Sequence, residues 1–327
     1  MTQPENNHTT FTIFSRQQLS AFLARITDQI VSGWASKLFV GIFMIISVAI
    51  IAQILHSNWD TFKTLDWEFR PIWLFFIIIF FIIDLLVATW VWHLLVTQLA
   101  NYSNFQHSAK ICWSTNLARR IPTPVWYIAG RAVMYEQVGV SKITTSLLST
   151  LELIFFFLSG LATTLLTLPF WVIPSDFISG EKQFGLLFLL LPFSLLLVHP
   201  RLLETIWRRL RPDSPMQPLH WRNTITWMGY YILTWILGAF VLFSVINLFY
   251  PVPLTSLIVI IGVWSLAGTV SLAGALTISF FGVREISLTL LLTILVPMPV
   301  ALIVAILIRV VWLLGETFSA LISFKLK

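Results

Sequence analysis

Charged side chains are scarce in this chain. Asp, Glu, Lys and Arg make up 10% of its 327 residues, whereas an ordinary soluble domain carries roughly a quarter. Hydrophobic residues make up 57% and aromatic residues 15%. A soluble core that held so many apolar side chains would leave too few charges to cover its surface. The composition therefore excludes a soluble globular enzyme and predicts an all-α, polytopic membrane protein.

Cysteine is also nearly absent, since Cys112 is the only one. A single thiol excludes an internal disulfide and a thiolate metal cluster. The six histidines are scattered, and the sequence contains no HExxH, GxSxG, Walker or zinc-ligand spacing. We therefore expect no metal, no cofactor and no attached soluble catalytic domain.

Long apolar runs are abundant, and a helix needs roughly 20 apolar residues to cross the hydrocarbon core of a bilayer. Six runs are predicted to span the membrane: 38–55, 72–96, 143–168, 184–199, 224–248 and 300–324. The stretch QQLSAFLARITDQI, ahead of the first run, has its apolar residues on one face. We interpret residues 1–37 as a cytoplasmic leader with an interfacial amphipathic helix, and residues 38–327 as one transmembrane domain.

Two further apolar stretches are interrupted. Residues 105–142 contain a paired arginine and two prolines, and residues 256–298 contain four glycines before Pro297. The four glycines are Gly262, Gly268, Gly274 and Gly282. Broken helices at membrane depth are tolerated where protein or a watery cavity covers the freed backbone groups. We predict two re-entrant helical hairpins, with two full spans for residues 256–298, and so eight full spans in all, as the alternative.

Lysine and arginine are unevenly placed along this layout. With a cytoplasmic N-terminus, fifteen of the twenty cations lie in inside segments and three in outside segments. Because cytoplasmic loops carry an excess of Lys and Arg, this split predicts a multi-pass protein of the cell membrane with both termini in the cytoplasm. The net charge of +6 then reflects orientation and contact with anionic headgroups, and no nucleic-acid partner is expected.

The order of spans and hairpins suggests an inverted repeat. Span 72–96, the first hairpin and span 143–168 form one set, and span 224–248, the second hairpin and span 300–324 form another. The single crossing at 184–199 reverses the orientation of the second set. Inverted repeats with broken helices at their interface are typical of transporters.

Six charged residues fall in or near the membrane interior, where each needs a partner or a cavity. They are Asp84, Glu152, Arg284, Glu285, Arg309 and Glu316. Glu152 belongs to a polar stripe on one helix face, whose other members are Thr145, Ser149, Ser159 and Thr163. The stripe is either a seam of interhelical hydrogen bonds or the lining of a path for a lipid headgroup.

Asp84, Arg309 and Glu316 are interpreted as an intramembrane ion network. Arg309 and Glu316 are seven residues apart and share a helix face. They could pair with each other through a third group, or with Asp84 and Glu285 on other helices.

Arginines near the two broken segments are candidate phosphate ligands, because a guanidinium binds phosphate bidentately. Arg120 and Arg131 flank the first break, and Arg284 follows the last glycine of the second. Arg284 and Glu285 are neighbours about 100° apart on a helix and cannot form a simple pair. We expect Arg284 to face a cavity and Glu285 to be held by Arg309 or Arg131.

The two broken segments resemble the integral-membrane domain of the lysylphosphatidylglycerol synthase and flippase family. The first reads NLARRIPTPVWYIAGRAVMYEQVGVS, with a basic residue, a proline-centred turn, a following Gly and Arg, and a Gly-containing turn. The second reads ISFFGVREISLTLLL, similar to the family's Gly-x-Arg-Glu signature, and precedes the helix of Arg309. The resemblance covers most of residues 35–325. Residues 122–124 and 279–281 depart from the family pattern, which has Pro and Gly there.

The resemblance implies transbilayer movement of a phospholipid, an aminoacylated lipid or an isoprenoid-type lipid, without the lipid-synthesis step. In this interpretation Arg120, Arg131 and Arg284 hold phosphate, and Glu152 and Glu285 bind an amine or orient those arginines. Two other functions stay open: a non-transporting accessory subunit of a lipid-modifying or glycosyl-transfer enzyme, and a membrane-embedded lipid-phosphate enzyme. The expected partners are membrane lipids, and a homo-oligomer stays open.

The charge split predicts the side of the membrane on which single cysteines react. On a Cys112-free background, Ser57→Cys and Ser175→Cys should react with an impermeant maleimide in sealed cells. Ser214→Cys should react only after permeabilisation. Equal labelling of Ser214→Cys and Ser57→Cys in sealed cells would overturn both the orientation and the inverted repeat.

Overall fold

The computed structural model describes residues 68–116, 124–171, 199–210, 219–277 and 283–325, with five isolated residues between positions 53 and 63. All regular structure within these ranges is helical, as the composition predicts. Four predicted features lie outside the described residues: the leader 1–37, span 38–55 apart from Gln53, span 184–199 apart from His199, and Arg120.

Nine α-helices run through the described residues, and they are numbered here in chain order. They are α1 (Ile72–Ala100), α2 (Phe105–Asn116), α3 (Pro124–Glu136), α4 (Lys142–Thr167), α5 (Pro200–Leu210), α6 (Trp221–Phe249), α7 (Leu257–Thr277), α8 (Val283–Leu292) and α9 (Met298–Ser323). Short 3₁₀ turns follow α4 at Leu168–Phe170 and precede α7 at Leu254–Ser256.

Five of the described helices are long and apolar enough to cross a membrane: α1, α4, α6, α7 and α9. Helices α1, α4, α6 and α9 coincide with the predicted spans 72–96, 143–168, 224–248 and 300–324. These four predictions of spanning-length helices are confirmed. The described part of the chain is therefore all-helical with five candidate membrane-spanning helices, as its shortage of charge predicts.

The second broken segment differs from its prediction. Helix α7 runs for 21 residues and continues through Gly262, Gly268 and Gly274, so the interruptions predicted at these glycines are wrong. Gly282 lies outside the described residues. Helix α8 has 10 residues, a length of about 15 Å that is too short for about 30 Å of hydrocarbon. The segment is thus one helix of spanning length followed by a short one, which matches neither the hairpin nor the two full spans.

Glycines in α6 and α7 leave room for tryptophan rings between the helices. A β-carbon at Gly268 would overlap the ring of Trp235, and one at Gly238 would overlap the ring of Trp264. Both rings are buried, and Trp235 Nε1 donates to Ser159 Oγ on α4 at 3.0 Å. Small residues let membrane helices approach closely, so these glycines serve packing rather than a helix break.

The first broken segment contains two short helices, as predicted. Helices α2 and α3 have 12 and 13 residues, and α3 begins at Pro124, where the missing amide hydrogen is tolerated. The chain then turns sharply at Gly139, whose φ of 86° suits glycine. Ser141 caps α4 by accepting a hydrogen bond at 3.2 Å from the amide of Thr144. The turn at Gly139 and the cap at Ser141 bring α4 next to α3.

Helices α1 and α6 pack antiparallel against each other. The amide of Arg70, just before α1, donates to the carbonyl of Leu248 near the end of α6 at 2.9 Å. The rings of Trp73 and Phe243 are 5.5 Å apart. Helix α7 packs against α4 and α6, and α9 packs against α2 and α8. Two clusters of buried apolar side chains result, and α6 contributes to both.

Replacing Gly268 with alanine should destabilise the protein, because the ring of Trp235 is held in place by its hydrogen bond and its burial. We expect a loss of roughly 1–3 kcal/mol in the free energy of unfolding, the usual cost of overpacking. Gly229→Ala on α6 is the matched control, since a β-carbon there would meet open space and alanine favours a helix. Thermal unfolding in detergent measures both variants. Equal midpoints would contradict the packing explanation.

Candidate functional site

Two ion pairs with buried carboxylates lie within the described residues, and each joins a short helix to a long one. The first joins α3 to α4, where Arg131 Nη1 lies 2.5 Å from Glu152 Oε2. Both residues are buried, and Arg131 has 0% of its surface exposed. A single charge in so apolar a place is costly, so each partner stabilises the charged form of the other.

Aromatic rings surround the first pair. The guanidinium carbon of Arg131 lies 3.8 Å from the ring centroid of Trp92 and 4.2 Å from that of Tyr127. Both contacts are cation–π interactions, which strengthen when water is excluded. The Tyr127 hydroxyl donates to Glu152, and Trp92 Nε1 donates to the hydroxyl of Tyr135 at 2.8 Å. The rings therefore fix the positions of both charges.

Helix α2 supplies two more contacts to the same guanidinium. Arg131 Nε donates to Thr115 Oγ1 at 3.3 Å, and Arg131 Nη2 lies 3.3 Å from Cys112 Sγ. Cys112 and Thr115 are three residues apart and share one face of α2. Helices α1, α2, α3 and α4 thus meet at Arg131, which is enclosed in this conformation. Its predicted contact with a lipid phosphate stays a prediction.

The polar stripe of α4 faces the protein interior along its length. All five members are buried: Thr145, Ser149, Glu152, Ser159 and Thr163. Ser159 Oγ accepts the bond from Trp235 on α6, and Thr163 Oγ1 donates to the carbonyl of Ser159 at 2.7 Å. At Ser159 the stripe therefore makes one hydrogen bond to another helix, as its first interpretation expects. A headgroup path past Glu152 stays a prediction.

The second ion pair joins α8 to α9. Arg309 Nη1 donates to Glu285 Oε1, and Arg309 is one of the two arginines predicted to hold Glu285. That prediction is confirmed. The Arg309 side chain keeps 35% of its surface exposed and the Glu285 side chain 10%. The second pair is thus more open than the first.

A small cleft with a cavity volume of about 10 Å³, about the room that one water molecule needs, borders the second pair. Its charged and aromatic walls are Trp264, Arg284, Glu285, Arg309 and Trp312. The guanidinium carbon of Arg284 lies 4.3 Å from the ring centroid of Trp264, and the rings of Trp264 and Trp312 are 5.1 Å apart. Arg284 therefore faces a cavity, as expected, whereas phosphate binding there stays a prediction.

The two remaining predicted charges lie on α1 and α9. Asp84 is half-buried in α1, and Glu316 is buried on α9, about two turns beyond Arg309. Of the predicted network, Arg309 binds Glu285, and a joint network with Asp84 and Glu316 stays a prediction. Among the described residues, no three His, Cys, Asp or Glu side chains lie close enough to share a metal ion.

No family model, curated protein or solved structure matches this chain. The resemblance to the flippase family therefore stays an interpretation of two motifs and their order. The chemistry of the candidate site has to be argued from its own contacts.

The four aromatic residues beside the two ion pairs are Trp92, Tyr127, Trp264 and Trp312. Nothing in the sequence marks them as site residues in a chain with 15 tryptophans. Tyr127 lies four residues before Arg131 and Trp312 lies three after Arg309, so helical spacing alone would place each near its arginine. Trp92 and Trp264 come from other helices. Only the fold brings these two rings to the charges.

Removing the charge of Glu152 should destabilise the protein strongly, because Glu152→Gln takes the counter-ion from a buried arginine. Losing one member of a buried pair costs roughly 3–5 kcal/mol, whereas replacing both members by apolar residues is often neutral. The double variant Arg131→Met, Glu152→Leu should therefore be markedly more stable than Glu152→Gln.

The matched control is Glu136→Gln, at the end of α3. Glu136 pairs with Lys142 at 2.9 Å, and both side chains are more than half exposed. Loss of this exposed pair should cost less than about 1 kcal/mol. Thermal unfolding in detergent measures all three variants. A double variant as unstable as Glu152→Gln would contradict the paired-charge explanation.

Proposed function

We propose that this protein moves a phospholipid between the leaflets of a cell membrane, with the headgroup passing between two inverted sets of helices. One observation carries the proposal. Each set holds an arginine–glutamate pair between its short and long helices, and one pair is enclosed while the other borders a cleft.

The two proposed sets are α1–α4 and α6–α9. Each begins with a 29-residue helix and ends with a 26-residue helix. Each set has two further helices between its first helix and its last. The sets differ in the second helix, which has 12 residues in α2 and 21 in α7. The shared order supports a repeat of four helices.

Contacts between the sets support a two-fold relation. Helix α2 packs on α9, and α7 packs on α4. These two contacts become equivalent when the sets are exchanged. Helices α1 and α6 are the equivalent first members, and they run antiparallel, with Arg70 bonded to Leu248. Antiparallel equivalents are what an inverted repeat requires.

The ion pairs fall at equivalent places in the two sets, between the third and fourth helices, although their charges are exchanged. Arginine lies on α3 and glutamate on α4, whereas glutamate lies on α8 and arginine on α9. The first pair is enclosed and the second borders the cleft. In alternating access, the pathway to a fixed site is open on one side of the membrane while it is closed on the other. One open and one enclosed pair at equivalent places in the two sets support such a cycle.

The surroundings of the cleft suit a lipid. Exposed apolar side chains of α9, including Val310, Leu313 and Leu314, lie near its walls in sequence. In this proposal the acyl chains remain in the bilayer along this surface, and the cleft, which has room for about one water molecule in this structure, widens to admit the headgroup. The guanidinium groups of Arg284 and Arg309 can offset the cost of removing a phosphate from water. In this proposal both termini are cytoplasmic, as the charge split predicts.

Lipid transport can be tested in proteoliposomes that carry a fluorescent phospholipid, using dithionite to quench the outer leaflet. Wild-type protein should expose inner-leaflet lipid faster than protein-free vesicles, with or without an imposed proton gradient. Arg284→Gln should slow this exposure about tenfold, which is on the order of 1.4 kcal/mol.

Arg222→Gln is the control, because Arg222 is exposed at the start of α6 and lies outside the cleft walls. Its transport rate should match that of the wild type. Folded wild-type protein that fails to exceed the protein-free rate, with and without the gradient, would contradict the proposal and favour the accessory-subunit alternative. Equal slowing by both variants would show that net charge, rather than the cleft, sets the rate.

A further inference from the structure

We propose that α5 and the start of α6 form a surface that binds the anionic headgroups of the membrane leaflet beside it. Exposed arginines and exposed apolar side chains make up this surface, which is called the α5 surface here. Its residues are Arg201, Leu202, Arg208, Arg209, Trp221 and Ile225. The α5 surface includes no residue of the two ion pairs or of the cleft, so its binding of headgroups does not depend on the proposed transport.

The three arginines of α5 share one face of the helix. With 3.6 residues per turn, Arg201, Arg208 and Arg209 fall within an arc of about 100°. All three are exposed, and the Arg208 side chain keeps 73% of its surface exposed. Leu203, on the opposite side of the helix, is buried in an apolar cluster. Helix α5 therefore packs on the protein with one side and presents its cations on the other.

The single glutamate of α5 is engaged with the protein. Glu204 Oε1 accepts a hydrogen bond at 2.6 Å from the amide of Leu219, and its side chain is 21% exposed. Its other oxygen lies 3.9 Å from Arg208 Nη2, a distance at which a surface ion pair is weak. Helix α5 contains three arginines and one glutamate, so two positive charges are in excess. An anionic surface complements them.

Exposed apolar side chains border the arginines. Leu202, Trp221 and Ile225 are all exposed, and the rings of His199 and Trp221 are 5.0 Å apart, which places Trp221 beside the start of α5. Cations together with exposed apolar side chains are typical of helices that lie at a membrane interface, where tryptophan is also enriched. The apolar side chains favour a membrane over a soluble acidic protein, because they can enter the boundary between headgroups and acyl chains.

The fold places the α5 surface at one end of a helix of spanning length. The bond between Leu219 and Glu204 ties α5 to the start of α6, whereas Leu248, near the other end of α6, is bonded to Arg70. Helix α6 has 29 residues and is about 44 Å long, which exceeds the hydrocarbon thickness of about 30 Å. When α6 spans the bilayer, α5 therefore lies at headgroup level. The charge split predicts the cytoplasmic side, where the leaflet is anionic.

A spin label at Thr205 can test this contact in the full-length protein. Thr205 is exposed and lies between Arg201 and Arg209 around the helix, and Thr205→Cys on a Cys112-free background gives one label. Accessibility of the label to a neutral nickel complex is measured in nanodiscs of phosphatidylcholine, with and without about one third phosphatidylglycerol. Phosphatidylglycerol should lower the accessibility about threefold at low salt. Sodium chloride at about 0.5 M should remove most of this effect, because salt screens exposed charges.

Variants test whether the arginines cause the response to phosphatidylglycerol. The triple variant Arg201→Gln, Arg208→Gln, Arg209→Gln should lose the response, and Arg209→Gln alone should reduce it by roughly half. Arg70→Gln is the matched single-charge control, because Arg70 is an exposed arginine at the opposite end of α6. It should keep the full response. Phosphatidylserine should act as phosphatidylglycerol does, since net charge rather than headgroup shape is recognised.

Three results would overturn the proposal: no change on adding phosphatidylglycerol, a response that survives the triple variant, or a response that salt does not weaken. Protection of the label by soluble polyglutamate but not by phosphatidylglycerol would also overturn it, in favour of an acidic protein partner. Nanodiscs enclose no compartment, so the measurement requires no transport. A protein that fails to move lipid can still bind headgroups at the α5 surface, and one that moves lipid can fail to bind them.

Discussion

A charge removed from water must have an opposite charge or a strong hydrogen-bonding environment close by, and the described core contains two places where this need is met by an arginine and a glutamate. Helices α3 and α8 are too short to span a bilayer, so their packing depends on contacts with the rest of the protein. Arg131 ties α3 to Glu152 on α4, and Glu285 ties α8 to Arg309 on α9. Each pair therefore positions a short helix that lipid alone would not hold.

The two pairs differ in their surroundings, and the proposed transport cycle would depend on this asymmetry. Arg131 is held by rings, a hydroxyl and a thiol from three helices, with no surface exposed. Arg309 keeps part of its side chain exposed beside a cleft with two indoles. A ligand that binds the open site more tightly than the closed one shifts the balance between the two arrangements.

Apolar run length is sufficient to predict α1, α4, α6 and α9, because crossing the bilayer imposes a minimum length on each. The prediction that glycines interrupt the helix is wrong at Gly262, Gly268 and Gly274. Glycine weakens a helix in water, but between packed membrane helices it leaves room for a neighbouring ring. Helix geometry in the sequence excludes Arg284 as the partner of Glu285, because adjacent residues point about 100° apart. Arg309 and Arg131 are then the predicted partners. Arg131 pairs with Glu152, and Trp92 packs on it, because α1, α3 and α4 are neighbours. Apolar periodicity does not say which helices are neighbours, so the sequence does not predict these contacts.

The proposed transport requires the enclosed first pair to open while lipid is moved through the cleft at the second pair. Cys112 is the only cysteine of the chain, and it is buried against Arg131 at 3.3 Å, so its reaction rate with a maleimide reports directly on that enclosure. We expect slow labelling of the wild-type protein in detergent, and faster labelling in vesicles across which it moves phospholipid. Arg284→Gln should remain slow in both. Equally slow labelling of Cys112 in detergent and in vesicles, by a preparation that transports lipid, would contradict the account.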